Sequence, residues 1–210
     1  MASALEQLVA FATQPDPAFV CRRAGRSEQG PRTFVAKICH DLNEPASSHD
    51  LGLLRSLLGP HARVFEEVYA AHDGFVLYQD LLSEAAGVEA LPIAEWDQAG
   101  HDLREWLADL AAENDPDHIR TGVAFATAPQ SGNYFVVPVE GPSAGEIFYV
   151  NHDGWYEGPF ADDYAEFIAR VTTDPAHLLS TELGCYARYS DGKTAIQWIP
   201  LSYMVGESRR

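Results

Sequence analysis

Cysteines and basic residues are scarce in this 210-residue chain. Cys21, Cys39 and Cys185 are widely spaced and form no Cys-x-x-Cys pair, which argues against a disulfide framework and a thiolate zinc site. The 14 Lys and Arg residues stand against 31 Asp and Glu residues, so the net charge is −17. Binding to nucleic acid or to an anionic membrane needs a cationic surface, and this balance therefore argues against both partners.

Long apolar runs are missing too. No run approaches the roughly 18 apolar residues of a membrane span, and Glu6 stands where a secretory signal would carry basic residues. The chain also has no phosphate-binding loop and no dinucleotide fingerprint. We therefore expect a cytoplasmic protein, and its 46% hydrophobic content is enough for one compact domain with a buried core.

Residues 64–78 are the most informative stretch, because their hydrophobic period changes in the middle. Apolar and aromatic residues recur at helical spacing as far as His72. Gly74 is typical of a left-handed helix end, since glycine adopts that conformation without a Cβ penalty. Residues 75–78 are then apolar and strand-like. The stretch predicts a helix that leads directly into a strand.

The remaining elements are predicted from period, capping residues and turn dipeptides. They are a helix at 3–13, extended runs at 19–23 and 33–39, a helix capped by Asp50 and ending at 58, a helix at 99–114, strands at 123–127, 133–139 and 146–151, a helix capped by Asp162 or Asp163, and a hairpin of 185–189 and 194–199 around Asp191-Gly192.

Several motifs in this order resemble the SUKH superfamily, which includes fungal cell-wall-synthesis regulators of the Smi/Knr type and many bacterial toxin-immunity proteins. The matching segments are the helix end and aromatic strand at 68–75, the proline and tryptophan of 91–96, the paired strands at 132–137 and 145–153, and the closing helix at 160–168. Asp73 stands where the family often has Asn. The resemblance covers roughly residues 50–179.

The resemblance implies an α+β fold with a mostly antiparallel sheet packed against helices. It also implies a protein-binding module without chemistry of its own and without a cofactor. In this interpretation residues 50–180 form the SUKH-like core of a single domain. Residues 1–49 add an N-terminal helix and hairpin, and residues 181–210 add a C-terminal hairpin and tail.

A protein partner is the main functional hypothesis, and the acidic residues are its predicted binding site. Between residues 89 and 117 the only base is Arg104. The predicted partner-binding residues are Asp97, Asp102, Glu105, Asp109, Glu113, Asp115 and Asp117, with Trp155 and Tyr156 as aromatic anchors. An immunity protein would use them to occlude a toxin domain, for example a cationic domain that binds nucleic acid. A regulatory or scaffold domain with a neutral partner is the alternative within the same family.

An enzyme is the alternative from another class. The tripeptide His-Asp-Gly occurs at 72–74 and at 152–154, which would suit a metal-dependent hydrolase if the two turns met in space. A helix end and a hairpin turn explain the two tripeptides equally well. Residues 141–145 match Gly-x-Ser-x-Gly, but strand residues follow them where a nucleophile elbow needs a helix. Cys39-His40-Asp41 has suitable residue types, although catalytic partners rarely lie side by side in sequence.

Overall fold

The structure is a computed structural model that describes residues 2–14, 19–27, 30–80, 87–107, 116–129, 131–151, 154–155, 158–189 and 197–200. Within these residues, helices and a mostly antiparallel sheet form an α+β fold, as expected.

One large sheet has the same strand order in space as in sequence. Its strands are β1 (Phe19–Ser27), β2 (Gly30–Leu42), β3 (Phe75–Asp80), β4 (Val88–Ala90), β5 (Gly122–Ala128), β6 (Asn133–Pro138), β7 (Phe148–Asn151) and β8 (Gly154–Trp155). Each strand pairs antiparallel with the next one along the chain, so the sheet is a meander that includes the N-terminal hairpin. A second, two-stranded sheet pairs β9 (Tyr186–Tyr189) with β10 (Gln197–Pro200).

The helices lie between and after these strands. They are α1 (Ala4–Ala12), α2 (Ser48–Leu58), α3 (Ala62–Tyr69), α4 (Trp96–Leu107), α5 (Asp117–Arg120), α6 (Tyr164–Thr173) and α7 (Pro175–His177). Short 3-10 turns occupy Gly59–His61 and Ile93–Glu95, and a π-helical turn follows α7 at Leu178–Glu182. None of the described helices is long and apolar enough to cross a membrane.

An aromatic core joins α3 and α6 to one face of the sheet, and Trp96 at the start of α4 reaches this core. The ring of Phe65 on α3 stacks on Tyr164 of α6, with 3.7 Å between the ring centroids. Phe167, one turn further along α6, meets Phe125 and Phe135 of the sheet edge-on at 5.2 and 5.1 Å. Each of these rings is almost fully buried, and burying such a side chain contributes roughly 1.5–3 kcal/mol to stability. The core therefore fixes the helices against the sheet.

The opposite face of the sheet is covered in part by α5. Phe148 and Tyr149 are successive residues of β7, so their side chains point to opposite faces. Tyr149 contacts Phe135 in the aromatic core, at 4.8 Å between ring centroids. Phe148 instead stacks on His118 of α5 at 4.1 Å. This sheet therefore has helices on both faces.

The helix-to-strand transition predicted at 64–78 is confirmed. Helix α3 ends at Tyr69, a hydrogen bond from His72 N to Val68 O of 2.8 Å extends the turn, and β3 starts at Phe75. Gly74 has the expected positive φ, +88°, but it lies four residues beyond the C-cap residue Ala70, so it belongs to the turn before β3 and is not the helix cap that the sequence predicted. The meander of β5, β6 and β7 is confirmed as well.

Two helix starts differ from the sequence prediction. Helix α2 is capped by Ser47, whose hydroxyl accepts from the Asp50 backbone N at 3.2 Å, so Asp50 lies in the first turn and is not the cap. Helix α4 begins at Trp96, because the 3-10 turn before it continues directly into the helix. Its predicted continuation from 108 to 114 lies outside the described residues. The N-cap of α6 is Asp163, which is one of the two residues expected at that position.

Candidate functional site

Helix α4 presents three of the predicted partner-binding residues to solvent: Asp97, Asp102 and Glu105. The opposite side of the helix is buried through Trp96, Leu103 and neighbouring small residues, so the helix has a fixed orientation. Asp109, Glu113, Asp115 and Tyr156 lie outside the described residues. Asp117 and Trp155 are described in backbone only, as the first residue of α5 and the last of β8.

A row of half-buried residues crosses the neighbouring strands on the sheet face that does not carry the aromatic core. Glu89 of β4 pairs with Thr127 of β5, and Thr127 pairs with Tyr134 of β6. Directly opposed residues in antiparallel strands share a face, so these three side chains lie side by side. Each of them is only partly buried.

Electrostatics connect this row with α4 and with the turn before it. The pKa of Glu89 is raised, first by burial of its carboxyl group and then by the neighbouring charge of Glu95. The pKa of Tyr134 is raised, first by burial and then by the charge of Asp102. We call this region the acidic surface, and it comprises Glu89, Glu95, Asp97, Asp102, Glu105, Thr127 and Tyr134.

Two contacts along α4 involve carboxylates of the acidic surface. Gln98 donates from Nε2 to Oδ1 of Asp102 at 2.6 Å, and His101 Nε2 lies 3.8 Å from Oε2 of Glu105. Both contacts join residues four apart, which are neighbours on a helix surface. His101 and Glu105 are strongly exposed, so their contact contributes little to stability. Both carboxylates remain accessible to an incoming cation.

The His-Asp-Gly turn at 72–74 is held by hydrogen bonds that define its structural role. Oδ1 of Asp73 accepts from the backbone N of Ile93 at 2.9 Å, and Asn43 Nδ2 donates to the Asp73 carbonyl at 2.7 Å. A Cβ on Gly74 would lie 2.2 Å from the Ala90 carbonyl oxygen. The turn thus joins the end of β2, the start of β3 and the segment after β4.

The proposed pairing of His72 with His152 stays untested, because His152 and Asp153 lie outside the described residues. His72 Nδ1 is 2.8 Å from the carbonyl oxygen of Asn43. Among the residues that the structure describes, no group of three or more His, Cys, Asp or Glu side chains could hold a metal ion.

The two other catalytic motifs have local structural settings. Residues 141–145 form turns between β6 and β7, and Gly145 has φ +92°. The chain continues from this loop into a β-bridge at Ile147 and then into β7, so no helix follows the serine in this segment. Cys39, His40 and Asp41 lie at an irregularity in the pairing of β2 with β3.

A groove between β7 and helices α6 and α7 was not predicted from the sequence. A cavity of about 390 Å³ is lined by Tyr149, Pro159, Phe160, Arg170, His177 and Glu182, among others. A second cavity of about 250 Å³ shares four of these residues and reaches Asp174. We call them together the Arg170 groove. Its residues come from separate segments, and the i,i+4 spacing of Glu166 and Arg170 was the one signal present in the sequence.

Comparison with protein-family models and with curated proteins gives no match. The resemblance to the SUKH superfamily therefore depends on the motif residues alone. Glu89, Thr127 and Tyr134 were also missed as members of the acidic surface, because only the strand register brings them next to α4.

Proposed function

We propose that this chain is a non-enzymatic, SUKH-like protein-binding module that acts as an immunity protein and neutralises a cationic toxin domain by occlusion. The acidic surface is the observation that carries the proposal. Its carboxylates come from α4, from the turn before it and from β4, whose Glu89 lies in one row with Thr127 and Tyr134.

Charge on this surface supports fast and selective encounter with a basic partner. Asp97, Asp102 and Glu105 are exposed, and they belong to a chain with net charge −17. Clustered charge of one sign steers an oppositely charged protein and can raise the association rate by about 10–1,000-fold at low salt. A cationic domain bound here would have its own substrate-binding surface covered.

Tyr134 and Thr127 add a half-buried aromatic ring and a hydroxyl group to the acidic surface. Tyrosine is enriched among residues that dominate binding energy at protein interfaces, because it offers a rigid apolar ring and a hydroxyl. Charges at the rim mainly affect association rate and salt dependence, whereas buried central contacts mainly affect dissociation. The acidic surface has both components.

The experiment that tests this function is a pull-down from the native lysate with the purified protein as bait, at low and at high salt. The proposal expects a basic protein that is retained at low salt, is released at high salt and loses its toxic activity when bound. A neutral partner whose retention does not depend on salt would instead indicate the regulatory or scaffold function.

A further inference from the structure

The Arg170 groove has the chemistry of a ligand site that is separate from the acidic surface. We propose that it binds a small monocarboxylate with an aromatic or aliphatic body, with Arg170 as the residue that receives the carboxylate. The inference does not depend on the proposed function, because it involves other residues and another ligand class.

The guanidinium of Arg170 is oriented from two sides. Its Nε donates to Oε1 of Glu166 at 3.0 Å, and its central carbon lies 5.6 Å from the centroid of the Phe160 ring. Within the described residues, no acceptor binds its two Nη groups, and the side chain lines both cavities. An arginine held over an aromatic ring presents these groups as a planar fork, which matches the two oxygens of a carboxylate.

Neighbouring charges favour a monoanion over a phosphate. His177 Nε2 lies 3.0 Å from Oε1 of Glu182, so the other basic group of the groove already has an acidic partner. Glu166 also neutralises part of the charge of Arg170. Asp174 lines the second cavity and adds another carboxylate. A single carboxylate can meet the Nη groups of Arg170 directly, whereas a second negative charge on the ligand would lie among these carboxylates and be repelled.

The remaining walls define the body of the ligand. Tyr149 and Phe160 are mostly buried and contribute aromatic edges to the lining, and the more exposed Pro159 adds an aliphatic wall. Apolar walls with a few convergent polar groups are typical of small-ligand sites, which occupy roughly 300–1,000 Å³. The carboxylate can belong to a free small acid or to the C-terminal residue of a peptide, since both present the same chemistry to the groove.

Titration of the full chain with 3-phenylpropionate and with its carboxamide tests the inference, followed by amide NMR shifts or calorimetry. We expect the acid to bind saturably. The affinity for the amide, which lacks the charge, should be lower by a factor of roughly ten or more. The Arg170→Gln variant should bind the acid with an affinity that is lower than that of wild type by a similar factor. The matched control is Arg55→Gln, since Arg55 is also an exposed helical arginine paired with a glutamate, Glu66, but does not line the groove.

The tripeptide Ala-Ala-Phe with a free C-terminus distinguishes the two sources of the carboxylate. Tighter binding of this peptide than of 3-phenylpropionate would assign the groove to peptide C-termini, and the reverse order would assign it to free acids. The inference is overturned if neither carboxylate binds saturably, if acid and amide bind wild type equally, or if folded Arg170→Gln retains wild-type affinity.

Discussion

The backbone N of Tyr78 donates a hydrogen bond to Nδ1 of His40 across β2 and β3, with 3.0 Å between the two nitrogens. The strand pairing is irregular at this point, and Tyr78 has φ +65°, a value that non-glycine residues seldom adopt. The rings of His40 and Tyr78 also meet edge-on at 5.0 Å, and Phe11 of α1 packs on His40 at 4.9 Å. The cluster of Phe11, His40 and Tyr78 therefore connects α1, β2 and β3.

His40 should make the protein less stable in mild acid. Burial lowers its pKa from 6.5 to about 4, and the neutral ring is the form that accepts the Tyr78 hydrogen bond. Because the unfolded chain binds a proton near pH 6.5 and the folded chain only near pH 4, stability from this group falls as pH decreases between those values. We expect a loss of about 1–2 kcal/mol after allowing for partial exposure of the ring.

The His40→Asn variant isolates this contribution, because the asparagine oxygen can accept the same hydrogen bond but does not titrate. Urea denaturation of both proteins at pH 7 and pH 4.5 measures it. At pH 7 the variant should have a lower free energy of unfolding than wild type, because ring contacts are lost. The difference between the two proteins should be smaller at pH 4.5, because only wild type loses stability through His40. A difference that is the same at both pH values would contradict the role given to His40.

Replacing Gly74 should be strongly destabilising. Its φ of +88° is costly for alanine, and the added Cβ would lie 2.2 Å from the Ala90 carbonyl oxygen. We expect Gly74→Ala to lower the free energy of unfolding by more than about 2 kcal/mol. Gly52→Ala is the matched control: a Cβ there meets nothing within 4 Å in the middle of α2, so a gain of roughly 0.5–1 kcal/mol is expected. Equal effects of the two variants would contradict the close approach at Gly74.

Asp73 should be replaceable by asparagine but not by alanine. Its Oδ1 accepts from Ile93 N, a bond that an asparagine oxygen can also accept. Burial is the largest cause of its raised pKa, with the charge of Asp50 a further cause, so the ionised carboxylate is disfavoured in the folded chain. Asp73→Asn should therefore match or exceed wild-type stability at pH 7, whereas Asp73→Ala should lose about 1–3 kcal/mol. Any stability advantage of the asparagine variant over wild type should decrease as the pH falls, because wild-type Asp73 becomes protonated.

Local sequence signals predicted elements whose cause is local. Gly74 and the Asp163 cap of α6 are examples, since turn conformation and capping depend on a few neighbouring residues. Tyr78 is a counterexample: nothing in the strand-like run 75–78 indicates positive φ, which the pairing with β2 imposes. Helix α4 was expected from its apolar stripe, but its position beside Tyr134 depends on the long-range register of β4, β5 and β6.

Of the two candidate sites, only part of one could be predicted. The exposure of Asp97, Asp102 and Glu105 follows from the opposite, apolar side of α4. The Arg170 groove combines Tyr149, Phe160 and the α6–α7 region, and their proximity results from tertiary packing. Charge and hydrophobic period along a chain do not contain that information.

Neutralising the acidic surface should weaken partner binding with little effect on the fold. The triple variant Asp97→Asn, Asp102→Asn, Glu105→Gln removes three charges from exposed positions on α4. Glu67→Gln, Glu140→Gln, Asp162→Asn is the matched control, since these residues are also exposed and lie elsewhere on the chain. Surface substitutions of this kind usually change stability by less than about 0.5 kcal/mol each, which thermal unfolding of both variants checks.

The most direct test of partner binding by the acidic surface uses these two variants and wild type as baits in the pull-down. The captured protein is quantified from low to high salt. We expect wild type and the control variant to capture the same basic protein in a salt-sensitive manner. The acidic-surface variant should capture at least about tenfold less of that protein at low salt. Equal capture by all three baits, with no dependence on salt, would contradict the assignment of the acidic surface as the partner-binding site.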